Sequence, residues 1–132
     1  LASPATQFVA EFVGANLLPG TARRGRDGLT EVELEGGERV VSTDEAEGRV
    51  GVVLHPWEIA LARVQAEDSI QNHVVGTVAS VVTVGNRVRV RLGPLTAEVT
   101  ATSVDQLGIR EGERLVASFK ATATRLVPYA ST

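Results

Sequence analysis

The sequence predicts an all-β protein built from two small Greek-key barrels, with one short helix near the N-terminus. Valine is very frequent, and aromatic residues make up only 4% of the 132 residues. A core of valine, leucine, isoleucine and alanine favours strands, because β-branched side chains fit a pleated sheet. Short stretches of alternating apolar and polar residues recur at close spacing with turns between them, which is typical of small barrels.

The N-terminal segment carries the signals of a helix. Ser3-Pro4 places a capping hydroxyl before a proline at the first helical position. Apolar residues at helical spacing come next, and Gly14 is placed to end the helix. The sequence therefore predicts a helix over about 4–13. Residues 20–28 carry three arginines among glycines and are predicted to form an exposed loop.

The rest of the first half predicts strands. The run Glu31–Glu35 alternates acidic and apolar residues, and Gly36-Gly37 then turns the chain, which indicates a hairpin with a solvated acidic face. Arg49–Leu54 is predicted to be another strand, ended by His55-Pro56. We expect Trp57 to be a packing residue.

The second half is more regular. Gly85-Asn86 suits a two-residue hairpin turn, and Ser103 is predicted to cap one helical turn that Gly108 ends. Alternating arginines at 87, 89 and 91 are expected to form a solvated strand face, with an interface as the alternative. The predicted strands are Val78–Val84, Arg87–Leu92, Leu95–Thr100 and a long strand from Arg114 to about Val127.

These two sets of strands predict two subdomains, each an OB-like barrel, with the boundary near residues 66–69: the first spans 1–67 and the second 68–132. The first 68 residues carry 12 acidic side chains against 6 arginines, whereas residues 69–132 carry 7 basic against 4 acidic. There is no cysteine, which excludes disulfides and thiolate metal sites, and two histidines are too few to indicate a metal site. The chain lacks methionine and begins at Leu1, so we expect a processed chain or a fragment.

Hydroxyl-bearing residues gather around the single lysine of the sequence. Lys120 is followed by Ala121-Thr122, and two further polar segments precede it, Ser69-Ile70-Gln71-Asn72 and Thr100-Ala101-Thr102-Ser103. A tetrahedral dianion needs several donors that converge without a nearby carboxylate. The three segments fit that need. The predicted ligand-binding residues are Ser69, Gln71, Asn72, Thr100, Ser103, Lys120, Ala121 and Thr122.

Each of these residues also has an ordinary structural interpretation. Ser103 can be a plain helix cap, Thr100 and Thr122 ordinary strand residues, and Lys120 a solvated lysine on a strand whose alternate residues are hydroxyls. His73 is expected to be half-buried and structural, in a position near Gln71. The anion site is favoured because all of the segments occur together.

The second half resembles the Mop family, the molybdate-binding molbindin module. Ser69–Val78 reads SIQNHVVGTV, which is similar to the opening of that module. Ala97–Ser103, then Leu107, Gly112 and Ala117–Thr122 resemble its remaining motifs in their usual order.

The first half resembles the segment that comes after the ATPase core in importer subunits of ATP-binding-cassette (ABC) transporters. Phe8–Leu18 is similar to the exit helix and asparagine of that core, and Val53–Ile59 is similar to a degenerate Arg-Pro-Glu strand end. Taken together, the chain resembles the C-terminal regulatory TOBE/Mop domain of a molybdate- or tungstate-type importer ATPase.

The resemblance implies a site in which a subunit interface holds the oxyanion. Ser69, Thr100 and Ser103 would supply hydroxyls, Lys120 the positive charge, and Ala121-Thr122 neighbouring donors. No metal and no cofactor are implied, and molybdate or tungstate would be the ligand. The position that usually carries arginine in the opening motif is Gln71 here, which removes one charge-assisted contact, worth about 1.5–3 kcal/mol.

The resemblance also implies the biological setting. The partners would be a second copy of the chain, the nucleotide-binding domain of the same chain and transmembrane permease subunits. The location would be cytoplasmic, peripheral at the inner face of the cell membrane. The alternatives are a structural dimerisation module without a bound anion and a free-standing molbindin storage protein.

Enzymatic and nucleic-acid functions are not favoured. The sequence has no Gly-x-x-x-x-Gly-Lys-Ser/Thr loop, so we expect this part of the chain not to hydrolyse ATP, although the parent chain would be an ATPase. A nucleic-acid-binding barrel needs stacking aromatics along a basic groove. Here the five aromatic residues are dispersed and the net charge is −3.

Overall fold

The computed structural model describes residues 14–129. Strands predominate in this part of the chain, as predicted, and the α-helix expected over 4–13 lies outside the described residues. The strands are β1 Asn16–Arg24, β2 Thr30–Leu34, β3 Arg39–Ser42, β4 Gly48–Leu54, β5 Ala60–Ala62, β6 Asn72–Val84, β7 Arg87–Leu92, β8 Leu95–Thr100, β9 Arg114–Phe119 and β10 Arg125–Pro128. The helix α1 spans Ala101–Leu107, and two 3-10 helices span Pro56–Glu58 and Ala121–Ala123.

The chain divides into two compact units that are not contiguous in sequence. The first unit combines residues up to Leu54 with those from Ala121 onward, and the second spans His55–Lys120. The first contains a five-stranded antiparallel sheet in the order β10-β4-β1-β2-β3. The second contains a five-stranded antiparallel sheet in the order β5-β9-β6-β7-β8.

The two sheets share one topology. When β6–β9 are matched to β1–β4, the strand orders coincide throughout, and each sheet has one further outer strand, which lies beside β4 or β9. That outer strand is β10 in the first unit and β5 in the second, and each comes after a three-residue 3-10 helix in the chain. The registers agree as well, since Asn16 lies opposite Leu54 and Asn72 lies opposite Phe119. The chain is therefore an internal repeat at the level of structure.

Each unit buries its own apolar residues. Strand alternation places Val32, Val40 and Leu54 among the buried residues of the first unit. Leu92 and Phe119 are among the largest fully buried side chains of the second. Burial of a side chain of this size contributes about 1.5–3 kcal/mol relative to exposure. Both units thus have the hydrophobic interior that a sheet requires.

The loop predicted over residues 20–28 is wrong in its first part, which belongs to β1. Gly20 occupies a close approach of two strands, since a Cβ there would lie 2.7 Å from the carbonyl oxygen of Glu33. Pro19 lies just before the part of β1 that pairs with β2, so its missing N–H does not interrupt that ladder. The Pro-Gly pair is typical of a turn, but here it lies within a strand.

The long strand predicted from Arg114 to about Val127 is also wrong. It is β9, then the second 3-10 helix, then β10, with Lys120 in the break between β9 and that helix. The chain leaves one sheet and joins another, where Arg125 pairs with Val53. Thr124, which a continuous strand would place on the same solvated face as Lys120, is buried instead, and its carbonyl accepts a hydrogen bond from the Ser42 hydroxyl.

The predicted hairpins are confirmed. Strands β2 and β3 pair around the Gly36-Gly37 turn, and β6 and β7 pair around Gly85-Asn86. Strand β6 is longer than predicted, because it begins at Asn72. No helix within residues 14–129 has the length and apolar character needed to cross a membrane.

Candidate anion-binding site

The opening polar motif immediately precedes and enters β6. Ser69 and Gln71 are exposed, and Asn72 is almost fully buried as the first residue of the strand. Asn72 lies opposite Phe119, the last residue of β9, so the backbone of the motif reaches the level of Lys120. The Lys120 side chain is exposed. The structure therefore brings the opening motif and the single lysine to the same end of the β6–β9 pair.

Side chains hold the opening motif on both sides of Ile70. The Ile70 N–H donates to Oδ1 of Asp68 at 2.9 Å. The Ile70 carbonyl lies 2.8 Å from Nε2 of His73. His73 is half-buried, as the sequence predicted, and its Nδ1 lies 2.8 Å from the Ser118 hydroxyl. Asp68 also places a carboxylate beside the motif, which works against an anion there.

The second polar motif forms a compact pair of hydroxyls. Thr100, not Ser103, is the residue that caps α1: its Oγ1 accepts a hydrogen bond from the Ser103 N–H at 3.1 Å. The same hydroxyl donates to Oγ of Ser103 at 3.0 Å. The helix begins before Ser103 because Thr100 occupies the extended N-cap conformation. Two of the hydroxyls predicted for the site, those of Thr100 and Ser103, are thus in direct contact.

Arg63 holds the other end of this helix. Its guanidinium donates to the Leu107 carbonyl at 2.6 and 3.0 Å and to the Gly108 carbonyl at 3.0 Å. It also pairs with Glu113 at 2.6 Å. These carbonyls belong to the helix terminus, where backbone acceptors have no partner within the helix. Sequence analysis missed this role, because the contacts with Leu107 span 44 positions.

Two of the predicted residues lie beyond the second unit. Ala121 and Thr122 begin the second 3-10 helix and belong to the first unit. Ala121 is buried, and its carbonyl accepts backbone N–H groups from Thr43 and Thr124, both at 3.3 Å. Thr122 is exposed. The Ala121 carbonyl therefore has a structural role in the first unit.

The strand register places the two polar motifs at opposite ends of β6. Thr100 lies opposite Arg87, and Arg87 lies opposite Val84 at the end of β6, whereas the opening motif lies at its beginning. Arg87 and Arg89 both pair with Glu98, at 2.8 and 3.4 Å. Within one chain, the Thr100–Ser103 hydroxyls therefore lie at the other end of β6 from Lys120 and the opening motif. Each of the two groups by itself offers donors suited to an oxyanion.

Other features of the described residues do not add a site. Trp57, expected to be a packing residue, stacks on His55 with ring centroids 4.6 Å apart, while the residue as a whole is 61% exposed. It lies in the 3-10 helix Pro56–Glu58, in which Pro56 is the buried residue. No cluster of three or more metal-ligating side chains occurs within residues 14–129. A surface cavity of about 390 Å³ in the first unit is lined by paired charges, including Arg23–Glu31 and Arg49–Glu35.

Comparison with protein families gives a match over the second half of the chain. The model of the TOBE domain matches residues 68–126. The chain is 32% identical over 130 residues to the molybdate/tungstate import ATP-binding protein WtpC of Pyrococcus horikoshii, covering 95% of this chain and 36% of that protein. It is 39% identical over 104 residues to the molybdenum import ATP-binding protein ModC 1 of Azotobacter vinelandii, covering 72% and 29%. The chain spans about a third of the length of these relatives.

A solved structure has a similar fold. The cytoplasmic molybdate-binding protein ModG, crystallised with molybdate bound, superposes with a TM-score of 0.76 and 25% sequence identity. The match covers 86% of this chain and 96% of that one.

Proposed function

We propose that the chain is a regulatory domain that binds molybdate or tungstate, because residues 68–126 match the model of the TOBE domain and the chain is similar to import ATP-binding proteins. In this proposal the two parts of the chain have different roles: residues 1–67 form a first regulatory subdomain, and residues 68–132 form an oxyanion-binding subdomain. The proposed ligands are hydroxyls and backbone N–H groups around Ser69, Thr100 and Ser103, with Lys120 as the cation. This part of the chain is not proposed to catalyse a reaction.

One observation carries the proposal. The second unit contains the single lysine at the level of the Ser69–Asn72 motif and, at the other end of β6, the contacting hydroxyls of Thr100 and Ser103, so a second copy is needed to bring the two groups to one anion. Neutral donors with one cation suit a tetrahedral dianion, which gains most from charge-assisted hydrogen bonds. The names of the import proteins and of ModG agree with such a ligand.

The finer part of the proposal concerns regulation. A second copy of the chain completes the site, and bound oxyanion favours the paired form. By linkage, a ligand that binds one arrangement better must stabilise that arrangement. In a complete importer this would hold paired ATPase subunits in one state when cytoplasmic oxyanion is high, and transport would fall. The domain would then lie at the inner face of the membrane through the permease.

An open strand edge supports pairing with a second copy. Residues 80–84 of β6 pair with β7 on one side, and β9 pairs only with the earlier part of β6, up to Thr77. Val82 and Val84 in this segment are about half exposed. An exposed β-branched edge of this kind is a template for pairing with another chain.

A Val82→Glu variant should therefore lower the dimer fraction in sedimentation at about 50 µM, a range in which weak interfaces form. A monomeric wild type would contradict pairing.

A structural dimerisation module without a bound anion is the second candidate. Gln71 favours it, because an amide supplies no charge at a position exposed beside the motif. Asp68 favours it as well, since its carboxylate repels an anion. A free-standing storage protein is the third candidate, and it agrees with the 96% coverage of ModG.

Calorimetric titration and thermal unfolding with molybdate, tungstate and sulfate separate these candidates. The proposal expects stabilisation of the wild type by molybdate or tungstate, loss of the effect in Lys120→Ala, and a larger effect in Gln71→Arg. Arg110→Ala, which removes an exposed cation elsewhere in the second unit, is the matched control and should behave as the wild type. If neither anion stabilises the wild type and Gln71→Arg gains no response, the structural candidate takes the place of the sensor.

A further inference from the structure

We propose that His73 is a positioning residue that fixes the peptide group between Ile70 and Gln71, so that the Gln71 N–H is held ready as a donor. The inference rests on the proposed function for its effect on oxyanion binding. The geometric part concerns the ligand-free protein and can be tested without any anion.

The tautomer of His73 is set by its two partners. A backbone carbonyl can only accept, so Nε2, at 2.8 Å from the Ile70 carbonyl, must carry the hydrogen. In the neutral ring Nδ1 then accepts from the Ser118 hydroxyl, which lies 2.8 Å away. Ser118 is directly opposite His73 in the β6–β9 register. The ring is thus held by the neighbouring strand while it holds the motif.

The peptide plane transmits this contact to the next residue. A trans peptide is planar, and its carbonyl and N–H point in opposite directions. The bond from His73 fixes the direction of the Ile70 carbonyl, and the Gln71 N–H of the same peptide therefore points away from the imidazole. The bond from the Ile70 N–H to Asp68 fixes the preceding peptide in the same way.

Residues 69–71 depend on side chains for their hydrogen bonds, because they come before the first residue of β6 that pairs with β9. Strand β6 begins at Asn72, and the pairing of β6 with β9 begins at the same residue. Ile70 has both of its backbone polar groups bonded to side chains rather than to a strand partner. Removal of the His73 donor should leave the Ile70–Gln71 peptide able to rotate, and the entropy of ordering it would then oppose anion binding.

Two conservative variants separate the two contacts of the ring. In His73→Gln the amide nitrogen can take the place of Nε2 and still donate to Ile70. In His73→Asn the shorter side chain reaches only the place of Nδ1, near Ser118. Thr77→Ala, an exposed position further along the same strand, is the matched control. Each variant is compared by thermal unfolding, by ¹⁵N relaxation of residues 69–72 without ligand and by titration with molybdate and tungstate.

The expected results are specific to the Ile70 contact. Nitrogen–proton spectra of the wild type should show His73 with hydrogen on Nε2. The His73→Asn variant should show greater mobility of residues 69–71 than the wild type. Its anion binding should be weaker by about 3- to 10-fold, which corresponds to the loss of one hydrogen bond. The anion affinity of the His73→Gln variant should stay within about twofold of the wild-type value, since this variant keeps the hydrogen bond to Ile70.

Other results would overturn the inference. Hydrogen on Nδ1 alone in the neutral ring contradicts the assigned tautomer. Equal mobility of the motif in the Asn variant, the Gln variant and the wild type contradicts the positioning role. If the wild type binds neither anion, the proposed function fails while the ligand-free relaxation data still decide the role of His73. If anion binds and the Asn variant binds as tightly as the wild type, His73 does not position the donor.

Discussion

Asp44 and Arg125 form an ion pair at 2.8 Å, although 81 positions separate them in the sequence. The same carboxylate oxygen of Asp44 accepts the backbone N–H of Leu126 at 3.0 Å. Together these bonds attach β10 to the segment just after β3. Partial burial tends to raise the pKa of Asp44, but hydrogen bonds from Arg125 and Leu126 and the charge of Arg125 outweigh it and hold the pKa below the ordinary value.

This lowered pKa predicts a pH-dependent stability. A carboxyl whose pKa is depressed on folding stabilises the protein above its unfolded pKa, about 3.9, and loses that contribution as pH falls through the lower folded value. The Asp44→Asn variant should therefore be less stable than the wild type at neutral pH, with a difference that closes below about pH 4. Urea unfolding from about pH 7 to about pH 3 measures this. A difference that stays constant over that range would contradict the ion-pair explanation.

Arg63 is predicted to stabilise the end of α1. The Arg63→Ala change leaves the carbonyls of Leu107 and Gly108 without their side-chain donor, so we expect a loss of about 1–2 kcal/mol, limited by the exposure of the guanidinium. Arg63→Lys keeps the charge but not the planar fork, and should recover only part of the loss. Urea unfolding is the measurement. Full recovery by lysine would mean that charge alone acts there.

Gly20 is predicted to be intolerant of a side chain. A Cβ would lie 2.7 Å from both the Glu33 carbonyl oxygen and Cγ1 of Val32, so Gly20→Ala must separate β1 from β2. Overpacking of this kind costs about 1–3 kcal/mol. Thr21→Ala, at the next and exposed position, should be close to neutral. Thermal unfolding compares the two, and equal stability of both variants would contradict the close approach.

The internal repeat predicts one oxyanion per chain rather than two. Ser42 ends β3 as Thr100 ends β8, and three positions further the first unit has Glu45 where the second has Ser103. The Ser42 hydroxyl donates to Thr124, and Glu45 carries a negative charge. A dianion would meet a carboxylate there. Calorimetric titration with tungstate should give a stoichiometry near one, and a value near two would show that the first unit also binds.

The sequence predicted the elements that local alternation encodes. Glu31–Glu35 and Arg87–Leu92 alternate cleanly, and both contribute strands to hairpins with the expected turns. Alternation failed where it continued through a change of sheet: apolar residues at every second position predicted one strand, but the chain breaks at Lys120. Local pattern shows which face of a strand is apolar, and it does not encode which sheet the strand joins.

The candidate site was predictable to a similar degree. The Thr-x-x-Ser spacing identified two hydroxyls that are in contact, but either residue can cap a helix, and the structure selects Thr100. The contact of His73 with Ser118 spans 45 positions and has no local signal. Contacts of this kind depend on strand register, which is a property of the whole sheet.

The position of β10 also affects the order in which the protein becomes complete during synthesis. Translation adds about 5–20 residues per second, so about 4–15 s pass between the emergence of Leu54 and that of Pro128. In that interval all residues of the second unit are synthesised, and the edge of β4 that later pairs with β10 has no partner strand. An unpaired edge is open to other nascent chains. The first unit therefore begins to emerge from the ribosome before the second, but its sheet is completed only after the second unit has been synthesised.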